Sequence, residues 1–241
     1  MSGPSTEPTI VLVHGAFADA SGWAAVIDRL TALGYPVFAP ANPLRGVIGD
    51  GEVIRTFVST IEGPVVLVGH SYGGSVITNA GAGADNVRAL VYIAAYIPEE
   101  GETLLAAGAL DGASNDLAEH LAVRPYPGAP EGDVDAYIDP VHFHDQFCAD
   151  LPADLAAVMA VSQRPVTFSC LATPSGPAAW KTVPSWAIVA SQDHAIPPVA
   201  ERAMAARAGA TTVEVDSSHV AFISHPDETV DLIVAAVKGS A

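Results

Sequence analysis

Cysteine, basic residues and long apolar runs are all scarce in this chain. Its 241 residues include two cysteines, Cys148 and Cys170, too few for a disulfide framework and at no zinc-ligand spacing. They fit a reducing compartment. Lysine and arginine number 10 against 27 aspartates and glutamates, a formal net charge of −17. A surface of that sign repels nucleic acid and anionic lipid, so neither is an expected partner. Half the residues are hydrophobic, yet no apolar stretch approaches the roughly 20 residues of a membrane span. Met1 to Pro8 is short and polar, without the basic and apolar regions of a signal peptide, and the expected address is cytoplasmic. Composition sets no oligomeric state.

What is present is an alternation of apolar strands and helical patterns. Thr9–Val13, Tyr35–Ala39, Pro64–Val68, Val87–Ala94, Ser185–Val189 and Thr211–Val215 read as strands. Continuous apolar runs of this kind predict a mostly parallel sheet with helices on both faces. Between them lie helical patterns: one capped by Ser21 with Trp23, Val26, Ile27 and Leu30 at helical spacing, one around Val53, Ile54 and Phe57, and others over about 198–208 and 226–237. From Glu99 to Val183 the rhythm breaks. That stretch has many Gly and Pro, no clear strand run and several short helical patterns, the clearest starting at Asp150-Leu151-Pro152. It predicts a helical cap over residues 99–183, inserted into a core of residues 1–98 and 184–241, beyond the strand carboxyl ends where such sheets bind ligands.

The segment Gly69-His70-Ser71-Tyr72-Gly73-Gly74 follows an apolar strand and opens a helix. A serine between two glycines at a strand-to-helix turn is a nucleophile elbow, which exposes Oγ on a strained backbone. A serine hydroxyl needs a base, and the base needs an orienting group. Among eight histidines, His219 lies just past the last strand, at the sheet edge that carries Ser71. Asp193 lies past the strand through Val189 and completes the order Ser, Asp, His expected for this elbow. The competing reading of Asp193 is a helix cap. Backbone N–H groups of Tyr72 and of Ala16, in the turn His14-Gly15-Ala16-Phe17, are the expected oxyanion donors. His142-Phe143-His144-Asp145 has metal-binding residue types but no further clustered ligands, and reads as part of the cap, so no metal is expected.

These residues resemble an α/β-hydrolase over nearly the whole chain. Leu12-Val13-His14-Gly15-Ala16, the Gly69–Gly74 elbow, Gln192-Asp193-His194-Ala195-Ile196-Pro197 and Ser218-His219 look most like the plant methylesterase and hydroxynitrile-lyase branch and its bacterial relatives. The resemblance implies a six-stranded sheet, a cap and no cofactor. Lyases of this branch carry threonine where this chain has Gly15, and a lysine directly after the catalytic histidine, where this chain has Val220. Without that cation to hold departing cyanide, ester hydrolysis is favoured over cyanohydrin cleavage. The expected partner is a small or medium neutral ester. Phe17, Tyr72, Val220 and the cap aromatics Phe143, Phe147, Phe168 and Trp180 are the expected pocket wall, with Gly15 beside the nucleophile. Lactone or amide hydrolysis, cofactor-free perhydrolysis and a silent ligand receptor are the alternatives.

Overall fold

Apolar strand runs bury both faces, and the computed structural model, which describes residues 7–240, shows where they do so. Residues 1–6, most of the polar N-terminal stretch, and residue 241 lie outside the described residues. Strand β1 (Thr9–Val13) leads through a 3-10 turn into helix α1 (Ala24–Ala32). Asp19 caps that turn by accepting the Ser21 N–H, so Ser21 is capped rather than capping. Strand β2 is reduced to Val37–Phe38, because it lies at the sheet edge and follows Pro36, which has no N–H to donate. Helix α2 (Val47–Ser59), strand β3 (Val65–Ser71), helix α3 (Tyr72–Ala80) and strand β4 (Val87–Ala95) complete the first half.

The insertion follows. It holds α4 (Leu104–Ala107), β5 (Leu121–Arg124), β6 (Asp135–Ile138), α5 (Pro140–Phe147), α6 (Ala153–Ser162), β7 (Val166–Thr167) and α7 (Phe168–Ala172). Here the structure departs from the sequence reading. The stretch is not helical alone, because β5, β6 and β7 form a separate antiparallel sheet. Its strands are two to four residues long, too short to leave a period in the sequence. The core resumes with β8 (Ser185–Ala190), α8 (Pro198–Arg207), β9 (Thr211–Val215), α9 (Ala221–Ser224) and α10 (Pro226–Gly239).

The core sheet has the order β2-β1-β3-β4-β8-β9, with every neighbouring pair parallel. All seven residues of β3 are buried. Because β3 is central, its carboxyl end meets the ends of β1 and β4, with Val13 opposite Gly69 and Ala95 opposite Ser71. The register slips between His70 and Ser71. The polypeptide leaves the sheet there and turns into α3. Among the described residues no helix is long and apolar enough to cross a membrane.

Candidate active site

Ser71 takes φ 54°, ψ −124°, a strained conformation for a residue with a side chain. It is held there by chains packed too closely for any side chain between them. A Cβ on Gly69 would sit 2.5 Å from the Gly73 carbonyl oxygen, and one on Gly73 would sit 2.3 Å from the Val13 carbonyl oxygen. Gly15 has the same role on the other side, since its Cβ would lie 2.6 Å from Ser71 Cβ. The glycines are thus the contact surface between β1, β3 and α3.

Two further strand ends deliver Asp193 and His219. His219 Nδ1 lies 2.5 Å from Asp193 Oδ2, with both side chains buried. Asp193 Oδ1 accepts the N–H groups of Ala195 and Ile196 at 2.7 and 2.8 Å. Asp193 is not the helix cap, a position that Pro197 takes at α8: one oxygen anchors the loop and the other faces the ring. Ser71 and His219 open onto one cavity of about 110 Å³. The hydroxyl makes no hydrogen bond to the ring as it stands; such contacts commonly tighten only with substrate bound.

His219 is enclosed by His70, at 4.7 Å between ring centres, and Phe147, at 5.0 Å. His70 Nε2–H donates to the His219 carbonyl oxygen at 2.9 Å and fixes the loop. Burial holds His70 well below the ordinary imidazole range, so the ring is neutral and its buried Nδ1 is left without a partner. His14 is likewise structural. Its Nε2 accepts the Asn42 N–H, its Nδ1 faces the Gly15 carbonyl oxygen, and burial lowers its proton affinity.

In the turn after β1, the Phe17 N–H donates to the Arg164 carbonyl oxygen at 3.1 Å. From the same turn Ala16 lines the cavity together with Tyr72. The Tyr72 hydroxyl points away and donates to Asp50 Oδ2 at 2.7 Å. Burial raises the proton affinity of both groups, of Tyr72 well above the phenol range.

The cavity wall combines leucines with the aromatic residues Phe17, Tyr72, Tyr96 and Phe147. Leu105, Leu117, Leu121 and Leu171 of the insertion line the cavity with Phe17 and Phe147, and no charged side chain does. Four of the expected wall residues are placed elsewhere. Phe143 packs beneath Phe147 at 5.0 Å, Phe168 is 46% exposed, and Trp180 donates its indole N–H to the Pro98 carbonyl oxygen. Val220 turns into a neighbouring apolar cavity that shares Phe17 and Phe147. Gly15 stands behind Ser71. Neither leucine position nor side-chain direction has a signature in a segment without periodicity.

His144 Nε2 faces the Leu151 carbonyl oxygen, and His142 stacks on His120 at 4.0 Å. Among the described residues no group of three or more His, Cys, Asp or Glu is placed to hold a metal. Two functional neighbours escaped the sequence reading. Asp150 of the insertion accepts the Ser217 hydroxyl at 3.0 Å, the Ser218 N–H at 3.2 Å and the Ser218 hydroxyl, gripping the loop that carries His219. Glu201 is buried beside Asp193. An acid one helical turn before the apolar Met204 and Ala205 was the available signal.

Comparisons with known proteins agree with this fold. The alpha/beta hydrolase nvfD of Aspergillus novofumigatus is 28% identical over 94% of this chain and 95% of its own length. The carbendazim hydrolyzing esterase of Nocardioides sp. is 35% identical over 40% of this chain and 45% of its own length. The crystal structure of polyneuridine aldehyde esterase superposes with a TM-score of 0.79 at 18% identity, covering 95% of this chain and 98% of that one. A model of the alpha/beta hydrolase family matches residues 10–232, and the chain belongs to that family.

Proposed function

We propose that this hydrolase is a serine carboxylesterase acting on small to medium neutral esters. The observation that carries the reading is the buried 2.5 Å Asp193–His219 contact sharing one uncharged cavity with the strained Ser71. Ser71 Oγ attacks the ester carbonyl carbon while His219 Nε2 takes its proton. Asp193 holds the ring in the Nδ1–H tautomer and stabilises the imidazolium that forms. The N–H groups of Ala16 and Tyr72 meet the oxyanion, each worth on the order of 3 kcal/mol in the barrier. The imidazolium protonates the departing alcohol. Water, activated by the same ring, then releases the acid from Ser71.

The lining supports a neutral substrate: apart from Tyr72, whose hydroxyl donates to Asp50, it offers Asn115, Tyr96 and the reacting groups as its only polar side chains among the described residues. It also speaks against cyanohydrin cleavage. Among the described residues no cation lines the cavity, and directly after His219, where lyases of this branch carry lysine, the chain has Val220. The similar Nocardioides protein is named an esterase, which accords with this reading. The two thiols are buried and not joined in a disulfide, in keeping with a cytoplasmic address.

Ser71→Ala tests the proposal. Hydrolysis of short p-nitrophenyl esters should fall by about 10⁴-fold or more, as removal of such a nucleophile does elsewhere. Turnover near that of the wild type would overturn it.

A further inference from the structure

Behind the Asp193–His219 pair lies a second carboxyl group that the proposed reaction does not use. Glu201 is 2% exposed, on the first turn of α8. Its Oε2 accepts the Ala190 N–H at 3.2 Å, at the end of the strand that leads to Asp193. Among the described residues none donates to its buried Oε1, and the Asp193 N–H in turn donates to the Ala190 carbonyl oxygen at 3.2 Å, which sets the carboxyl beside the turn that carries Asp193. Two carboxylates buried this close repel each other and cannot both stay charged without a cation between them. Arg202 is the nearest cation on the helix, and it turns outward to pair with Glu214 on β9 at 2.6 and 2.9 Å. From the end of β4, Tyr96 adds a neutral phenol, its ionisation opposed by burial and by both acids. From the loop after β9, His219 already occupies Asp193 Oδ2.

We propose that Glu201 is a positioning residue: as a neutral carboxylic acid it donates a hydrogen bond to Asp193, fixing the carboxylate that orients His219. The proton is assigned to Glu201 because Asp193 already accepts two backbone N–H groups and faces the imidazole. Glu201 accepts one backbone N–H. Burial, then the charge of Asp193, pushes Glu201 well above the usual carboxyl range. The arrangement divides the labour within the acid pair. One carboxyl carries the charge that the imidazolium needs, and the other clamps it with a proton.

This inference rests on the reading of His219 as base and Asp193 as its orienter, and its test separates the two. In Glu201→Gln the amide keeps both a donor toward Asp193 and an acceptor for the Ala190 N–H. The acid limb of the kcat/KM profile should stay in place, with kcat/KM within about twofold of wild type. In Glu201→Leu the donor is lost, so Asp193 holds the imidazolium more tightly. The acid limb should then move to higher pH, and kcat should fall about ten- to a hundredfold, the usual loss for one hydrogen bond to a charged group. An ionised Glu201 predicts the opposite. Removing its charge in either variant would lower the acid limb by about one pH unit or more, and that result would overturn the proposal. Infrared difference spectra of the wild type against Glu201→Gln read the proton without any turnover. A carboxylic-acid carbonyl band at neutral pH, absent from Glu201→Gln, is expected; no such band overturns the proposal even if Glu201→Leu fails to fold. Loss of activity in Ser71→Ala, measured alongside, reports on the esterase reading alone.

Discussion

Gly15 shows how little freedom single residues have around the nucleophile. A methyl group there would meet Ser71 Cβ at 2.6 Å and the His70 carbonyl oxygen at 2.8 Å, and neither backbone can retreat without moving the elbow. Gly15→Ala is therefore expected to destabilise the fold by about 1–3 kcal/mol, the ordinary cost of overpacking. It should also cut ester hydrolysis at least tenfold; denaturant titration and a p-nitrophenyl ester assay measure the two effects. An unchanged Gly15→Ala protein would mean that the elbow has slack that this packing denies. At this scale the sequence was informative wherever chemistry and position coincide. A serine between glycines, an acid and a histidine, each just past an apolar strand, could be named because a parallel sheet gathers its strand ends. Glu201 could not be named. Its role depends on burial beside Asp193, and burial of one acid on a helix is decided by what packs against it. The cavity wall was legible only in part, for a related reason. Residue type pointed to Phe17, Tyr72 and Phe147, which line it, but equally to Phe143, Phe168 and Trp180, whose side chains turn elsewhere while leucines of the insertion take their place.

Between elements, the decisive contact joins the insertion to the loop after β9. Asp150 lies just before α6 and takes hydrogen bonds from Ser217 and Ser218, the two residues preceding His219. Burial opposes its charge, but the hydrogen bonds from Ser218, Ser224 and Ser217 outweigh it and hold the carboxyl below its ordinary value of 3.8. A lowered value in the folded state means stability that is present above pH 3.8 and lost as the pH falls through the folded value. Asp150→Asn should thus cost about 1 kcal/mol at neutral pH, a modest figure because water screens so exposed a group. The gap from wild type should close below about pH 4. Because the same loop carries His219, kcat/KM should fall several-fold at neutral pH. Thermal melts and ester kinetics across pH check both halves. The core elements were legible because buried parallel strands read as unbroken apolar runs. The insertion was not. β5 and β6 read Leu-Ala-Val-Arg and Asp-Ala-Tyr-Ile, and such four-residue strands are specified by pairing with each other rather than by local pattern. The helical pattern expected to start at Asp150-Leu151-Pro152 begins only after Pro152, which takes the cap position, leaving the Asp150 carboxylate to reach across to the loop.

Over the whole molecule the acidic excess governs the response to salt and pH. With 27 acidic and 10 basic residues, most carboxylates lack a cation even though Arg29, Arg45, Arg202 and Arg207 all sit in ion pairs. A net charge of −17 repels itself more in the compact state than in the unfolded chain. Salt shortens the reach of that repulsion to about 10 Å at 0.1 M. It weakens the exposed ion pairs too, but these contribute at most about 1 kcal/mol each, so net stabilisation is expected. The increment should shrink toward pH ~4, where the carboxylates themselves are neutralised. A second slope is superposed on this one. Burial holds His14 and His70 below the ordinary imidazole value of 6.5, so below pH 6.5 the unfolded chain takes up protons that the folded chain refuses. Their contribution is present above pH 6.5 and is lost as the pH falls. Salt leaves this loss nearly untouched, because buried groups are screened far less than exposed ones. Melting temperatures on a grid of pH and sodium chloride separate the two. Salt should raise the midpoint at pH 7, and a fall below pH 6.5 should persist at high salt. A midpoint at pH 7 that drops as salt is added would show that ion pairs, not the unpaired acidic excess, dominate the stability of this surface.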